Sequence, residues 1–430
     1  MAVELTDHDR ALLSGELGPA AKLAMSILVR MAEVYRAERM LTITGAHVDA
    51  TIYVGDAGLE FAERLADAGG RVVVPTTLNV SGVDEKHWQE WDVPADWAAK
   101  AHRQMLAYQK MGTLATWTCA PYQAGHAPTL GQQIAWGESN AIVFANSVLG
   151  ARTERYPDML DICAALTGRV PAVGLHLDEH RAGELVLDLS AIPSAFAERA
   201  DFYPILGHLV GQIAGDRVPI LVELAASPTE DQLKALGPPA ATSGGVGLFH
   251  IVGVTPEADT LEAALRGKPP KKRLEVSLDS MRRARDELTT ATGESLELVV
   301  LGSPHFSLDE FRQLAALLER LEGKTSHPDV TVLVTTSRIV RDLADAAGLV
   351  EPLTRFGGRL TVDTCILATP MLSQRYRTLM TNSGKYALYS PGLLGVQVAY
   401  GSLEDCLASA VCGKVSRLPS PWDGASTQKI

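Results

Sequence analysis

Short apolar runs alternate with amphipathic stretches through the middle of this chain, and no other feature restricts its fold as much. VPILVEL (218–224), GLFHIVGV (247–254), LELVVLG (296–302) and VTVLVTT (330–336) have strand length and are apolar on both faces. Between the last two lies SLDEFRQLAALLERLEG (307–323), whose apolar residues recur at helical spacing. Strands of this kind, joined by helices, predict parallel sheets with crossover helices, an α/β fold. A chain of 430 residues exceeds one domain of ordinary size. We expect three units: 1–190, an α/β unit at 191–345, and a C-terminal segment at 346–430 that returns to the site.

The flanking regions are read in the same way. The first 40 residues read as helical, with Thr6 as an N-cap and a break at Gly18-Pro19, and LTIT (41–44) is a strand. RVVVPTTLNV (71–80) is strand-like up to Pro75, 95–111 is a helix, and LATWTC (114–119) is a short strand. IAWGESNAIVFANSVLGA (134–151) reads as one apolar helix, VPAVGLHL (170–177) and ELVLDLS (184–190) as strands. TNSGKYALYSPG (381–392) reads as a loop, KPPKKR (268–273) as a solvated loop, GLHLDEH (174–180) as a surface turn, and 419–430 as a frayed tail.

Charge excludes several classes. Lys and Arg number 39 against 51 Asp and Glu, a net charge of −12. Nucleic-acid binding needs clustered cations, and so does attachment to an anionic membrane surface. No run reaches the ~18 apolar residues that span a bilayer. The start, MAVELTDHDR, is acidic and lacks a signal-peptide pattern, so a cytoplasmic protein is expected. In that compartment the five cysteines are buried thiols, metal ligands or catalytic thiols rather than disulfides.

The candidate chemistry lies where polar residues interrupt apolar surroundings. Cys119 in TCAPY and Cys365 in VDTCILATP each end an apolar strand just before a Pro turn, and Cys406 and Cys412 share a helix-like segment. Strand ends are where α/β proteins build sites. Three thiolates gathered from distant segments can hold an iron–sulfur cluster that leaves one iron open to substrate. Thr76, Thr77 and Asn79 offer hydrogen bonds to an anionic small molecule from a loop after a strand. Ser139, Asn146 and Ser147 lie in an apolar helix and need partners, from substrate or from the core. Lys385 is a cation suited to a substrate carboxylate or phosphate.

Taken together, these segments resemble the aconitase X family, in particular its large catalytic subunit. The resemblance is carried by TGAHVDATIYVGDAGLEFAERLADAG, VPTTLNVSGVD, TWTCAPYQ, IAWGESNAIVFANSVLGARTERYPDMLDICAALTGRVPAVGLH, VDTCILATP and TNSGKYALYSPGLLGVQVAYGSLEDCLASAVCGK. It runs from about residue 5 to 415, by motif at both ends and by pattern over 185–345. One departure is Leu388, where the family pattern has His.

The resemblance implies an aconitase-like arrangement of parallel sheets flanked by helices, without the swivel domain. It implies an iron–sulfur cluster, [2Fe–2S] or [4Fe–4S], on Cys119, Cys365 and Cys406, with Cys163 packed in a helix and Cys412 incidental. The implied reaction is dehydration of a small hydroxy acid, first of all cis-3-hydroxy-L-proline to a pyrroline carboxylate, with mevalonate 5-phosphate as the alternative. Ser139 and Lys385 would act in catalysis, and Thr76, Thr77, Asn79, Asn146 and Ser147 would bind substrate. Arg152, Arg155 and Lys385 are the cations open to a phosphate. A separate small swivel-domain subunit is the expected partner and would supply a serine. A catalytically silent binding or regulatory subunit is the reading of another class.

Overall fold

The computed structural model describes residues 3–367, 369–372 and 376–423. Its first unit holds β1 (Met40–Thr42), β2 (Ala46–Val48), β3 (Thr76–Leu78), β4 (Ala135–Trp136) and β5 (Arg169–Pro171). Its second holds β6 (Leu185–Asp188), β7 (Pro219–Val222), β8 (His250–Ile251) and β9 (Lys272–Glu275). Its third holds β10 (Leu298–Leu301), β11 (Thr331–Thr336), β12 (Gly358–Val362), β13 (Thr378–Thr381) and β14 (Gln397–Tyr400).

The sheets run β3-β2-β4, β8-β7-β6-β9 and β12-β11-β10-β13-β14, and every pair in them is parallel. β1 and β5 form a small antiparallel pair. This is the expected α/β architecture of parallel sheets flanked by helices. The chain changes sheet between Pro171 and Leu185 and between Glu275 and Leu298, not at 190 and 345. Strands on both sides of each expected boundary pair with one another, and hydrogen bonding outweighs a compositional break.

The third unit shows why these residues form these elements. Leu298–Leu301 is wholly buried, as a central parallel strand must be. It ends at Gly302, whose φ of 97° and closeness to the Thr335 carbonyl, 2.1 Å from where a Cβ would sit, admit no other residue. Ser307 then caps the crossover helix Leu308–Arg320 in a reciprocal box with Glu310.

Several local expectations change. Only Thr76–Leu78 of the 71–80 segment is strand, and 114–119 runs beside it through single contacts rather than as a strand. The block at 134–151 is a two-residue strand, a turn at Gly137, and a helix at Ser139–Ser147. The expected loop at 381–392 is mostly the helix Gly384–Leu394. His176 is buried and hydrogen-bonds Tyr156 and Gln133, so GLHLDEH is a surface turn only at its exposed end, Asp178–His180. Trp422 is buried against Phe196 and Phe202, so the tail is docked that far; 424–430 lie outside the described residues. No single helix among the described residues is long and apolar enough to cross a membrane.

Candidate active site

Parallel pairing aligns strand ends, and here it aligns polar ones. The carboxyl ends of β2, β3 and β4 lead directly to Asp49, Asn79 and Gly137-Glu138-Ser139. In the third sheet β10, β12 and β13 lead to Ser303, Asp363-Thr364-Cys365 and Asn382-Ser383-Gly384-Lys385. The two edges are joined. Ser81 N–H donates to the Asp363 carbonyl at 2.6 Å, and Thr364 Oγ1 donates to the Ser81 carbonyl at 3.2 Å. The segment carrying Cys119 reaches the same place by running along β3, with Leu114 N–H on the Thr76 carbonyl and Thr118 N–H on the Leu78 carbonyl.

At this junction Lys385 Nζ pairs with Glu138 Oε1, and both side chains are largely buried. Glu138 sits at φ 68° as the cap of its helix, and its Oε2 accepts from Ala141 N–H at 2.9 Å. Burial opposes the charge on Lys385, but Glu138 beside it, with the Cys119 and Cys365 thiols, holds the ammonium above its ordinary range. Ser139 Oγ is 3.4 Å from Glu138 Oε1. A cavity of about 720 Å³ opens beside Lys385, lined here by Ser303, Ser383 and Gly384, and extends between the second and third units.

Cys119 and Cys365 belong to the junction. Burial first, then Glu138, pushes the Cys119 thiol up to about 12, against Lys385 and the His305 N–H; burial raises Cys365 as well. Cys365 Sγ lies 3.8 Å from Tyr386 Oη. Such thiols are protonated until a metal displaces the proton, which suits soft-metal ligands better than free nucleophiles. Cys406 is elsewhere. It is fully buried in the helix Leu403–Cys412, within the apolar cluster of Leu296, Val299, Met380 and Ala399. Among the described residues no group of three His, Cys, Asp or Glu side chains is placed to hold a metal. Of the three expected thiolates, Cys119 and Cys365 lie at the junction and Cys406 lies in the apolar core. Cys163 is buried in the core and Cys412 is exposed.

The expected substrate residues divide. Asn79 is at the junction, its Nδ2 donating to Asp49 Oδ1. The Thr76 hydroxyl is committed to the Val74 carbonyl at 2.8 Å, and that of Thr77 to His47 Nδ1 at 2.8 Å. Asn146 is engaged by groups of the chain itself. Its amide donates to the Thr153 and Gly247 carbonyls, both at 2.9 Å, and accepts from Thr153 N–H and Arg181 Nη1. Ser147 Oγ accepts from Phe249 N–H at 2.9 Å. Both join the first unit to the second, which is why polar residues occupy so apolar a helix. Asp49, Glu138 and His305 also lie at or beside the junction, and the motif reading passed over them. The signal was present in HVDA and WGES, where a carboxylate follows a strand at once.

Profiles of the aconitase X first, second and third domains match residues 2–179, 183–286 and 296–412. The chain is 47% identical to the cis-3-hydroxy-L-proline dehydratase of Pseudomonas aeruginosa, covering 95% of this chain and 70% of that one. It is 45% identical to the enzyme of that name from Hypocrea jecorina, covering 96% and 69%. Identity to the phosphomevalonate dehydratase large subunit of Methanothermobacter thermautotrophicus is 36%, covering 93% and 96%. The crystal structure of Thermococcus kodakaraensis aconitase X in its holo-form superposes with a TM-score of 0.84 at 33% identity, over 95% of this chain and all of that one. With its three units matched in order and its fold shared over nearly its whole length, the chain belongs to the aconitase X family.

Proposed function

We propose that this chain is the large subunit of a hydro-lyase that dehydrates cis-3-hydroxy-L-proline to a pyrroline carboxylate. One observation carries the reading: the buried Cys119 thiol, the half-buried Cys365 thiol and a buried Lys385–Glu138 pair meet at the joined edges of two parallel sheets, in a chain 47% identical to a dehydratase of that substrate. Cys119 and Cys365 would hold an iron–sulfur group, which when bound supplies a Lewis acid toward the hydroxyl leaving group.

The chain's own residues do the remaining work. Glu138 fixes the Lys385 ammonium at the junction, and that ammonium receives the substrate carboxylate through a charge-assisted hydrogen bond. With the carboxylate neutralised, the neighbouring Cα–H is more acidic, and negative charge developing there is stabilised by a donor already in place. Asn79 and Ser139 orient the substrate from the other sheet. A separate small subunit supplies the hydroxyl-bearing base that takes the Cα proton. The name "large subunit" carried by the phosphomevalonate relatives supports such a partner.

Mevalonate 5-phosphate fits less well. Arg152 is paired with Asp178 at 2.6 Å, and Arg155 lies against Gly245 and Gly247. Neither reaches the junction to add a cation for a phosphate. The test is anaerobic co-expression with the small subunit, followed by assay of both substrates. Dehydration of hydroxyproline with little turnover of phosphomevalonate is expected. Turnover of phosphomevalonate alone overturns the substrate assignment, and a complex inactive on either supports a silent subunit.

A further inference from the structure

We propose that Asp49 is the acid of this dehydration, handing a proton to the departing hydroxyl; the inference rests on the function proposed above. Asp49 follows β2, the central strand of its sheet, so the ends of β3 and β4 flank it. Three elements hold it. Its N–H donates to Asp161 Oδ2 at 2.5 Å, its Oδ1 accepts from Asn79 Nδ2, and its Cβ lies 2.6 Å from where a side chain at position 137 would begin. Gly137 is thus the one residue that lets β4 turn so close to this carboxyl.

Fixed as it is, Asp49 is only half-buried, while Val48 and Asn79 around it are sealed. Beside it Asn79 Oδ1 is buried and has no partner among the described residues. A buried amide oxygen without a donor is costly, and a hydroxyl or ring N–H of a substrate placed against Asp49 would satisfy it. The groups facing Asp49 are Glu138 beyond β4, Asp158 and Asp161 at the start of the helix Leu160–Thr167, and Lys385 from the third unit. Burial and the three carboxylates push Asp49 up to about 8, against the pull of Lys385. A carboxyl raised this far keeps its proton near neutral pH, as an acid must.

The step balances. As the C–O bond breaks, its electron pair goes to oxygen, the Asp49 proton joins it, and water leaves with Asp49 as carboxylate. The Cα proton goes to the hydroxyl-bearing base of the small subunit and from there to solvent, which reprotonates Asp49. Substrate becomes unsaturated carboxylate plus water, with no net proton change.

The complete enzyme with its small subunit tests this. D49N should lower kcat by about 100-fold or more, abolish the alkaline fall in the kcat/KM profile, and leave product affinity near that of the wild type. D49E should retain activity with that fall displaced. Difference infrared spectra of wild type minus D49N at pH 7 should show a protonated-carboxyl band that is lost as pH passes 8. D49N with wild-type kcat and an intact alkaline fall overturns the proposal, as does absence of the band. If D49N does not fold, the displaced fall and shifted acid band of D49E decide instead. A wild type inactive on hydroxyproline refutes the functional reading itself, whereas a missing band in an active enzyme refutes only the acid.

Discussion

The main-chain N–H of His305 points at Cys119 Sγ from 3.2 Å, while its imidazole hydrogen-bonds Thr118 Oγ1 at 3.0 Å and the Thr364 carbonyl at 3.1 Å. One buried residue after β10 thus holds both loops that carry the junction thiols. The carbonyl can only accept, so Nε2 carries the proton and Nδ1 accepts from Thr118. Replacing His305 by Ala should let the loops separate. In anaerobically reconstituted protein, iron and sulfide per chain should fall well below wild type. H305Q, whose amide keeps a donor, should recover part of the visible absorption. Wild-type iron in H305A would show that the clamp is not needed.

Cys406 should separate from the other two thiols. C119S and C365S are expected to lose iron, sulfide and activity together. C406A should keep all three and lose about 1 kcal/mol of stability from a small core cavity. Metal analysis beside a denaturant titration distinguishes them, and a C406A protein free of iron would restore the three-thiolate set.

Lys385 and Glu138 are buried as a pair, so removing one partner is worse than its contact energy suggests. K385M leaves the Glu138 charge uncompensated and should cost on the order of 3 kcal/mol. Turnover should also fall, since the receiving ammonium is gone. The urea midpoint of K385M and of the double variant K385M/E138Q checks this: the double variant should recover stability but not activity.

Asn146 should behave as a structural residue. N146A removes four hydrogen bonds to buried groups and should destabilise by about 3 kcal/mol. KM for the substrate should be unchanged in whatever fraction folds. A raised KM at unchanged stability would return Asn146 to the binding set.

Asp49 and Asp161 also predict how stability depends on pH. Burial, the first cause for both, raises them to about 8 and about 7 from an ordinary 3.8. Between those limits the folded chain binds protons that the unfolded chain has released, so stability falls as pH rises from about 4 to about 8. The melting temperature should be lower at pH 8 than at pH 6, and the difference should shrink in D49N. A melting temperature rising over that range would contradict the assignment.

The α/β class and the parallel sheets were legible along the chain, and so was the placing of polar residues such as Cys119, Cys365 and Asn79 at or near strand ends. Strand periodicity, Pro breaks and polar interruptions are local signals, and strand ends in parallel sheets are where side chains are free to converge. The partners of those side chains were not legible. Whether Asn146 meets a ligand or Arg181 depends on a residue 35 positions away, and apolar patterning is the same in both cases. Cys406 shows the limit most clearly: its segment reads as helical along the chain, but only packing decides that the helix starting at Leu403 turns the sulfur into the core. Linear order specifies which way each strand runs. Rotation about a helix axis and the docking of one sheet edge on another are set by packing between segments hundreds of residues apart, and those choices brought Glu138 to Lys385 and set His305 between the loops that carry the two thiols.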